Sequence, residues 1–215
     1  MADPSPSGKT VIVTGGGRGL GRAMTLSLAA AGARVVAAMH IAGDVEKLDA
    51  DAEATLAEAD TKGGEVHAMV ADIRRPEQCE AIAAAALDKF GGADVLVNNA
   101  GVGMLLISDD YTTRSTRFWE ADTDPVRAII ETNFLGPFFM AKCAVPHMIE
   151  QGWGRVVNVT TSIVTMQRRG YFPYGPSKAG FEAASRVWAE DLDGTGVTCN
   201  VLIPGGATDT NILPG

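Results

Sequence analysis

The sequence has little of the chemistry that disulfide-rich and zinc-binding proteins need. Its 215 residues include three cysteines and three histidines. Cys79, Cys143 and Cys199 lie far apart, and no C-x-x-C pair or His/Cys cluster occurs. We therefore expect neither a disulfide framework nor a bound metal. Because free cysteine is commonly buried, we predict three buried thiols in a chain of the reducing cytoplasm.

Long apolar runs and basic runs are missing as well. No uninterrupted apolar stretch reaches the roughly 18 residues of a membrane span, and the best candidate, residues 134–149, is broken by Pro137, Lys142, Pro146 and His147. The N-terminus lacks the basic head and apolar stretch of a secretory signal. A formal net charge of −8, from 18 Lys+Arg against 26 Asp+Glu, argues against nucleic acid as the main partner. We expect no membrane and no nucleic-acid partner.

What the sequence has is an alternation of apolar segments with segments of helical composition. At 46% apolar residues the chain can bury a sizeable core. The predicted strands cover residues 11–13, 34–39, 65–71, 93–97, 155–159 and 197–202, and the predicted helices cover residues 20–31, 45–59, 76–90, 124–150 and 174–192. Such alternation indicates a parallel sheet. We predict a disordered tail at residues 1–7 and then one doubly wound α/β domain over residues 8–215, with at least six parallel strands flanked by helices.

A glycine-rich turn follows the first predicted strand. After Thr14, the glycines Gly15, Gly19 and Gly21 follow the spacing T-G-x-x-x-G-x-G rather than G-x-G-x-x-G. Glycines allow the backbone to approach a pyrophosphate closely, and the N-terminus of the next helix offers free N–H groups. No Gly-Lys-Ser/Thr closes the turn, which argues against a P-loop. The turn therefore favours dinucleotide binding, with a plain strand-to-helix turn as the alternative.

The end of the second predicted strand bears on the choice of cofactor. An NAD site usually has an acidic residue there, bonded to the ribose 2′-hydroxyl. This chain has Met39 and His40 instead, and the first acid after them is Asp44. A carboxylate at this point would repel a 2′-phosphate, and Arg18 could attract one. We therefore favour NADP(H) over NAD(H); the alternative for Arg18 is a solvated surface residue.

Tyr174 and Lys178 form a Y-x-x-x-K pair at the start of a predicted helix. Residues four apart share one helical face, and a nearby ammonium lowers the pKa of a phenol. Tyr174 would then be a general acid/base. Thr161 stands thirteen residues before Tyr174, at the end of a strand, where a hydroxyl can bind a substrate oxygen. The alternatives are an ordinary Tyr/Lys pair and ordinary turn chemistry.

The order and spacing of these motifs resemble the short-chain dehydrogenase/reductase superfamily, from about residue 8 to residue 210. The matching motifs are Thr14-Gly15…Gly19…Gly21, Asp72, Asn98-Asn99-Ala100-Gly101, Asn133, Tyr174…Lys178 and Pro204-Gly205. The resemblance implies a Rossmann fold and an NAD(P)(H)-dependent oxidoreductase, which passes hydride between nicotinamide and a carbonyl or secondary alcohol carbon of a small molecule. A nucleotide-binding regulatory or scaffold protein of the same fold, without turnover, is the alternative.

The resemblance also implies catalytic roles for five residues. Tyr174 would exchange the proton with the substrate oxygen, while Lys178 would hold the nicotinamide ribose and lower the pKa of Tyr174. Thr161 would orient the substrate oxygen, with Ser162 as the fallback because the family usually has serine at the strand end. Asn133 would support a water that links Lys178 to solvent.

Cofactor contacts are implied by the same resemblance. Asp72 would contact the adenine edge, and Asn99 would lie along the adenosine side. The threonine that the family commonly has after Pro204-Gly205 falls at Asp209 here, so Thr208 or Thr210 would reach the nicotinamide amide. The predicted contacts are Gly15, Gly17, Arg18, Gly19, Leu20, Gly21, His40, Asp72, Ile73, Asn99, Ala100, Gly101, Lys178, Pro204, Gly205 and Thr208.

Two departures from the family bear on substrate and assembly. Residues 104–119 form an insertion, which we expect to shape the substrate site or a contact with a neighbouring subunit; a surface loop without a role is the alternative. Its larger side chains include Tyr111, Arg114, Arg117, Phe118 and Trp119.

The family usually continues past residue 215 with a helix and a seventh strand. We therefore expect a truncated chain, or an unusual cover for the open edge of the sixth strand. The helices starting near residues 124 and 174 are expected to form a homodimer, or part of a higher homo-oligomer.

Overall fold

The computed structural model describes residues 5–39, 50–61 and 64–205. In these ranges the strands are β1 (Thr10–Thr14), β2 (Arg34–Met39), β3 (Glu65–Val70), β4 (Val95–Asn98), β5 (Gly154–Val159) and β6 (Val197–Leu202). The α-helices are α1 (Gly19–Ala30), α2 (Ala50–Thr61), α3 (Pro76–Phe90), α4 (Thr123–Ile130), α5 (Gly136–Glu150), α6 (Ile163–Met166) and α7 (Tyr174–Asp191). A 3-10 turn covers Met104–Leu106, and a π-helical segment, Glu131–Leu135, joins α4 to α5.

The six strands form one parallel sheet in the order β3-β2-β1-β4-β5-β6. The chain moves outward from β1 to β3 and then returns to place β4 beside β1, where Ile12 pairs with Leu96. The carboxyl ends of β1 and β4 therefore flank a crevice at the point where the strand order reverses. Doubly wound sheets bind ligands in this crevice. The prediction of a doubly wound α/β domain with at least six parallel strands is confirmed.

Both faces of the sheet are covered by helices, because successive residues of a strand face opposite sides. Ile12 of β1 belongs to one core cluster with Met148 of α5. Its neighbours Val11 and Val13 belong to a second cluster with Ala29 of α1. Every residue of β1 is buried, so the strand that ends at the glycine-rich turn is a rigid platform for it.

The continuous helix Thr123–Glu150, which contains α4, the π-helical segment and α5, is long and apolar enough to span a membrane by length and composition. Pro137 and Pro146 interrupt the apolar run in the sequence, and both lie within this helix, which agrees with the helix predicted over residues 124–150. Pro137 lies in the first turn of α5, a position that proline tolerates. Core helices of other proteins pass the same test, and Met140 and Met148 are fully buried in the core of this one.

Most predicted elements are found with ends displaced by no more than two residues. The predicted helix 45–59 differs most, because α2 is described from Ala50 to Thr61 and residues 45–49 lie outside the described ranges. Two short elements, α6 and the 3-10 turn, were not predicted, since a single turn has no apolar period to detect. Of the predicted tail 1–7, residues 1–4 lie outside the described ranges.

The prediction for the cysteines is partly wrong. Cys79 and Cys199 are buried, but Cys143 is only half-buried. All three are free thiols. Burial raises the pKa of Cys79 to about 12 and that of Cys199 to about 11. Both are therefore neutral and unreactive at neutral pH.

Candidate active site

The glycine-rich turn packs backbone against backbone between β1 and α1. Gly15 has a φ of +66°, in the left-handed region that favours glycine. A Cβ on Gly21 would lie only 2.0 Å from the carbonyl oxygen of Gly15. Helix α1 begins at Gly19 after its N-cap residue Arg18, with no acidic residue in the first turn and no side chain hydrogen-bonded at the cap. Its first N–H groups, including that of Leu20, have no acceptor within the helix.

Polar contacts from the neighbouring strand hold this turn in place. The side-chain amide of Asn99, which follows β4, donates to the carbonyl oxygens of Thr14 (2.9 Å) and Gly15 (3.3 Å). The hydroxyl oxygen of Thr14 accepts the backbone N–H groups of Asn99 (3.1 Å) and Ala100 (3.0 Å). The ends of β1 and β4 are therefore locked together at the switch point. The sequence prediction missed Thr14 as a positioning residue, although its place at the start of the motif was a signal.

Helix α2 supports the other side of the turn. The Thr55 hydroxyl donates to the carbonyl oxygen of Gly17 (3.3 Å) and accepts from Nε of Arg22 (3.0 Å). Arg22 also pairs with Glu58 at 2.5 Å. A Cβ on Gly17 would lie 2.7 Å from the sulfur of Met39, so an uncharged thioether at the end of β2 lies directly against the turn.

The features of this turn fit a bound dinucleotide. The close backbone packing and the first turn of α1 offer N–H donors and the positive end of a helix dipole to a pyrophosphate. Pro204 and Gly205 follow β6 at the same edge of the sheet. The predicted contacts His40 and Thr208 lie outside the described residues.

Two predicted cofactor contacts after β3 have protein partners in the structure. The carboxylate of Asp72 accepts hydrogen bonds from Nε (2.9 Å) and a terminal nitrogen (2.6 Å) of Arg74. This contact, which the sequence prediction missed, raises the pKa of Arg74. Ile73 is buried, and a Cβ on Gly136 would lie 2.6 Å from its Cδ1. The side chains of Asp72 and Ile73 therefore help to build this end of the crevice.

Tyr174 begins α7, and Thr161 follows the end of β5. The pKa of Tyr174 is raised above its ordinary value chiefly by burial; the nearby Thr161 hydroxyl opposes this shift, while Tyr111 and Tyr171 add to it. The phenol is therefore protonated at neutral pH. Ser162, the predicted fallback, instead caps α6 with its hydroxyl oxygen.

Lys178 lies one helical turn beyond Tyr174 and is buried. Its ammonium donates to the carbonyl oxygen of Val159 at 3.0 Å, and a Cβ on Gly101 would lie 3.3 Å from Nζ. The ammonium therefore lies between the ends of β4 and β5. Burial lowers the pKa of Lys178 to about 8. The expected lowering of the pKa of Tyr174 by Lys178 is not found, because burial dominates and shifts that pKa upward.

Asn133 lies in the π-helical segment, a local irregularity that is frequent at functional sites. Its side-chain amide accepts the N–H of Val102 (2.9 Å) and donates to the carbonyl oxygen of Val102 (3.0 Å) and the hydroxyl of Ser177 (3.1 Å). Ser177 donates in turn to the carbonyl oxygen of Tyr174 at 2.7 Å. Asn133 therefore ties the long helix to the start of α7. Ser177 was not predicted, although its spacing from Tyr174 places it on the same helical face.

The fold and the site define a class of protein, a dinucleotide-binding α/β oxidoreductase. The short chain dehydrogenase family model matches residues 9–214, and the chain belongs to this family. It is 34% identical over 200 residues to a 3-oxoacyl-(acyl-carrier-protein) reductase of Thermotoga maritima, which covers 92% of this chain and 74% of that protein. For the Synechocystis enzyme of the same name the identity is 32% over 197 residues, covering 92% of this chain and 73% of that protein.

Solved structures agree with this family membership. A metagenomic short-chain oxidoreductase in complex with NADP matches with a TM-score of 0.80 and 29% identity, over 94% of this chain and 84% of that chain. A second solved structure, named a putative short-chain alcohol dehydrogenase, comes from Sinorhizobium meliloti. It matches with a TM-score of 0.78 and 30% identity, over 94% of this chain and 74% of that chain. The chain is thus an NAD(P)-dependent oxidoreductase that uses a nicotinamide cofactor and a small-molecule substrate.

Proposed function

We propose that the enzyme interconverts a small-molecule ketone and its secondary alcohol with NADP(H), and that Tyr174 is the general acid/base. The buried Lys178, bonded at 3.0 Å to the carbonyl oxygen of Val159 at the end of β5 and one helical turn from Tyr174 at the start of α7, carries the proposal. A hydroxyl pair at the carboxyl end of a central strand lies where ligands of doubly wound sheets bind. A phenol with a raised pKa holds its proton at neutral pH and can donate it to a ketone oxygen.

In the direction of reduction, the ketone oxygen lies between the hydroxyls of Tyr174 and Thr161 and accepts a hydrogen bond from each. Tyr174 then transfers its proton to that oxygen. A bound nicotinamide supplies the hydride. Lys178, with a pKa of about 8, is mostly charged at neutral pH. It would hold the nicotinamide ribose and stabilise the phenolate left on Tyr174.

The preference for NADP(H) is supported by the uncharged end of β2. Met39 lies against Gly17 of the turn, where a carboxylate would repel a 2′-phosphate. The related metagenomic enzyme was solved with NADP. We expect Arg18→Ala to weaken NADPH binding by about tenfold through the loss of one charge-assisted contact. NADH binding should stay within about twofold, and an equal loss for both cofactors would contradict the role of Arg18.

A homodimer in the cytoplasm is the assembly and location that we propose. Large apolar side chains are exposed on two helices that the family resemblance places in a subunit contact. They are Phe138 and Ile149 on α5 and Val187 on α7. Sedimentation velocity of the purified protein would test this, since a monomer at micromolar concentration would contradict it.

The Tyr174→Phe variant tests the proposed function. It keeps the ring and removes the proton donor, so kcat for a panel of aromatic and aliphatic ketones should fall by about 10²- to 10⁴-fold. NADPH binding by fluorescence titration should be unchanged, because Tyr174 lies at the start of α7 and the glycine-rich turn follows β1. Undiminished turnover in Tyr174→Phe would contradict the role of Tyr174. NADPH binding without turnover by the wild-type enzyme across the panel would contradict the activity itself.

A further inference from the structure

A cleft of about 310 Å³ lies between the insertion 104–119 and the segment that precedes Tyr174. Phe118 and Trp119 of the insertion meet edge to face at 4.9 Å, and Phe172 lies across from them, 6.3 Å from Phe118. Phe118 and Trp119 are 65% and 67% exposed. The volume suits a small organic molecule, and the three rings offer it an apolar surface.

Three arginines line the same cleft: Arg117, Arg168 and Arg169. Among the residues that the structure describes, no carboxylate forms an ion pair with any of them. Glu120, the acid next to them, accepts the backbone N–H of Arg117 at 3.1 Å. The guanidinium of Arg168 lies 4.7 Å from the centre of the Tyr171 ring, and a stacked guanidinium keeps its N–H edge available for an anion. We refer to this group of arginines and rings as the arginine cleft.

The arginine cleft borders the residues around Tyr174. Tyr171 lines the cleft, and the buried Tyr111 of the insertion meets it edge to face at 5.9 Å. Phe172 and Pro176, which lie two residues before and after Tyr174 in the chain, both line the cleft. A molecule in the cleft therefore lies beside the start of α7, the site at which we place the ketone.

The geometry points to an organic anion as the substrate class: its carboxylate binds the guanidinium groups of the arginine cleft, and its aromatic body lies on the exposed rings. Its ketone then reaches Tyr174, and this last contact alone rests on the proposed function. Arginine binds a carboxylate through two parallel hydrogen bonds. In a chain with a formal net charge of −8, three arginines around one cleft, none with a carboxylate partner in the part of the chain that the structure describes, select for negative charge.

Two aromatic ketones of the same shape test the proposal. 4-Acetylbenzoate has a carboxylate opposite its ketone, and 4-acetylbenzamide has a neutral amide there. Binding of each to the full chain saturated with NADP⁺ is measured by titration calorimetry, because the oxidised cofactor cannot reduce a ketone. We expect the wild type to bind the acid about tenfold more tightly than the amide, as one charge-assisted contact provides. Tyr174→Phe should keep this ratio.

Removing the arginines should remove the preference. In the double variant Arg168→Gln, Arg169→Gln the acid and the amide should bind within about twofold of each other, whereas Arg168→Lys should keep part of the preference because the charge remains. Arg75→Gln is the matched control: Arg75 is an exposed arginine that pairs with Glu77 outside the cleft, and its removal should leave the ratio unchanged.

Three outcomes would overturn the inference. They are equal binding of acid and amide by the wild type, an unchanged ratio in the double variant, and a changed sedimentation coefficient in the double variant, which would make the cleft a subunit contact. If the double variant fails to fold by circular dichroism, Arg117→Gln and Arg168→Lys supply the same comparison. Because the readout is binding, these outcomes are distinct from a loss of turnover, which would contradict the proposed function instead.

Discussion

The two sides of the crevice differ in how their polar side chains are satisfied. On the cofactor side the side chains already have protein partners: Asn99 binds Thr14 and Gly15, and Asp72 binds Arg74. On the substrate side the three guanidinium groups of the arginine cleft have no carboxylate partner among the described residues. On the cofactor side, the polar side chains bind other parts of the protein. On the substrate side, the positive charge of the guanidinium groups is available to a ligand.

Because of this difference, substitutions on the two sides of the crevice should affect different properties of the protein. A side chain that braces the glycine-rich turn contributes to folding and to cofactor binding together, because both need the same backbone arrangement. A side chain that meets only substrate contributes to neither. Stability and NADPH affinity should therefore change together for cofactor-side variants and stay constant for substrate-side variants.

The largest effect is expected for Gly21→Ala. The new Cβ would lie 2.0 Å from the carbonyl oxygen of Gly15 and 2.5 Å from the side-chain nitrogen of Asn99. Backbone atoms must move to relieve this contact, so we expect at least about 3 kcal/mol of destabilisation. NADPH binding should be lost with it. Thermal unfolding and fluorescence titration measure the two effects.

Gly92→Ala is the matched control for that substitution. A Cβ on Gly92 meets nothing within 4 Å, so its stability and NADPH affinity should match those of the wild type. If Gly21→Ala also bound NADPH normally, the turn would tolerate a wider backbone, and its link to the cofactor would be wrong.

A pH-dependent effect is expected at the boundary between the two sides, for Lys178→Met. Burial lowers the pKa of Lys178 from 10.5 to about 8 in the folded state. Below pH 8 Lys178 is protonated in both the folded and the unfolded state. The folded state then carries the full free-energy cost of burying the charged ammonium, on the order of 3 kcal/mol. Between pH 8 and 10.5 the unfolded state binds more protons, so this group's contribution to stability rises with pH.

Lys178→Met removes that contribution. The variant should be more stable than the wild type at pH 7, because the penalty for burying the ammonium is gone. The lost hydrogen bond to Val159 offsets roughly 1 kcal/mol of this gain. The remaining advantage should disappear by pH 10.5. Urea unfolding at several pH values measures the difference. A difference in unfolding free energy that stays constant across this range would show that Lys178 titrates normally. It would contradict the lowered pKa of a buried Lys178 beside Tyr174.

The alternation of strands and helices was predictable because it depends on apolar period and glycine position, which are local in sequence. Tyr174, Thr161 and Lys178 were predictable as a set because the ends of parallel strands meet at one edge of a sheet. The bond of Ser162 to its own helix was not, since either hydroxyl after β5 could have faced Tyr174. The stacking of Arg168 on Tyr171 was also hidden, because it depends on the path of an irregular segment.

A smaller effect is expected for Asn99→Ala, which leaves the carbonyl oxygens of Thr14 and Gly15 without their side-chain donor. We expect about 2 kcal/mol of destabilisation from these unsatisfied groups, together with weaker NADPH binding. Asn200→Ala is the control, because Asn200 is exposed and, within the described ranges, its side-chain amide bonds only to Thr198 on the same strand. If Asn99→Ala lost stability but kept its NADPH affinity, support of the fold and support of cofactor binding would be separate at this residue, which would contradict the expectation that the two change together.

The smallest effect is expected for Ser162→Ala. Its hydroxyl oxygen accepts the N–H of Thr165 at 3.3 Å at the start of a helix of four residues. Loss of such a cap costs about 1 kcal/mol or less, and NADPH affinity should not change. Because we place Thr161 and not Ser162 at the substrate oxygen, kcat of Ser162→Ala should stay within about twofold, whereas Thr161→Ala should lower it by tenfold or more. Steady-state kinetics of both variants decide which hydroxyl binds the substrate oxygen: a large loss in Ser162→Ala alone would mean that the strand end rearranges when substrate binds.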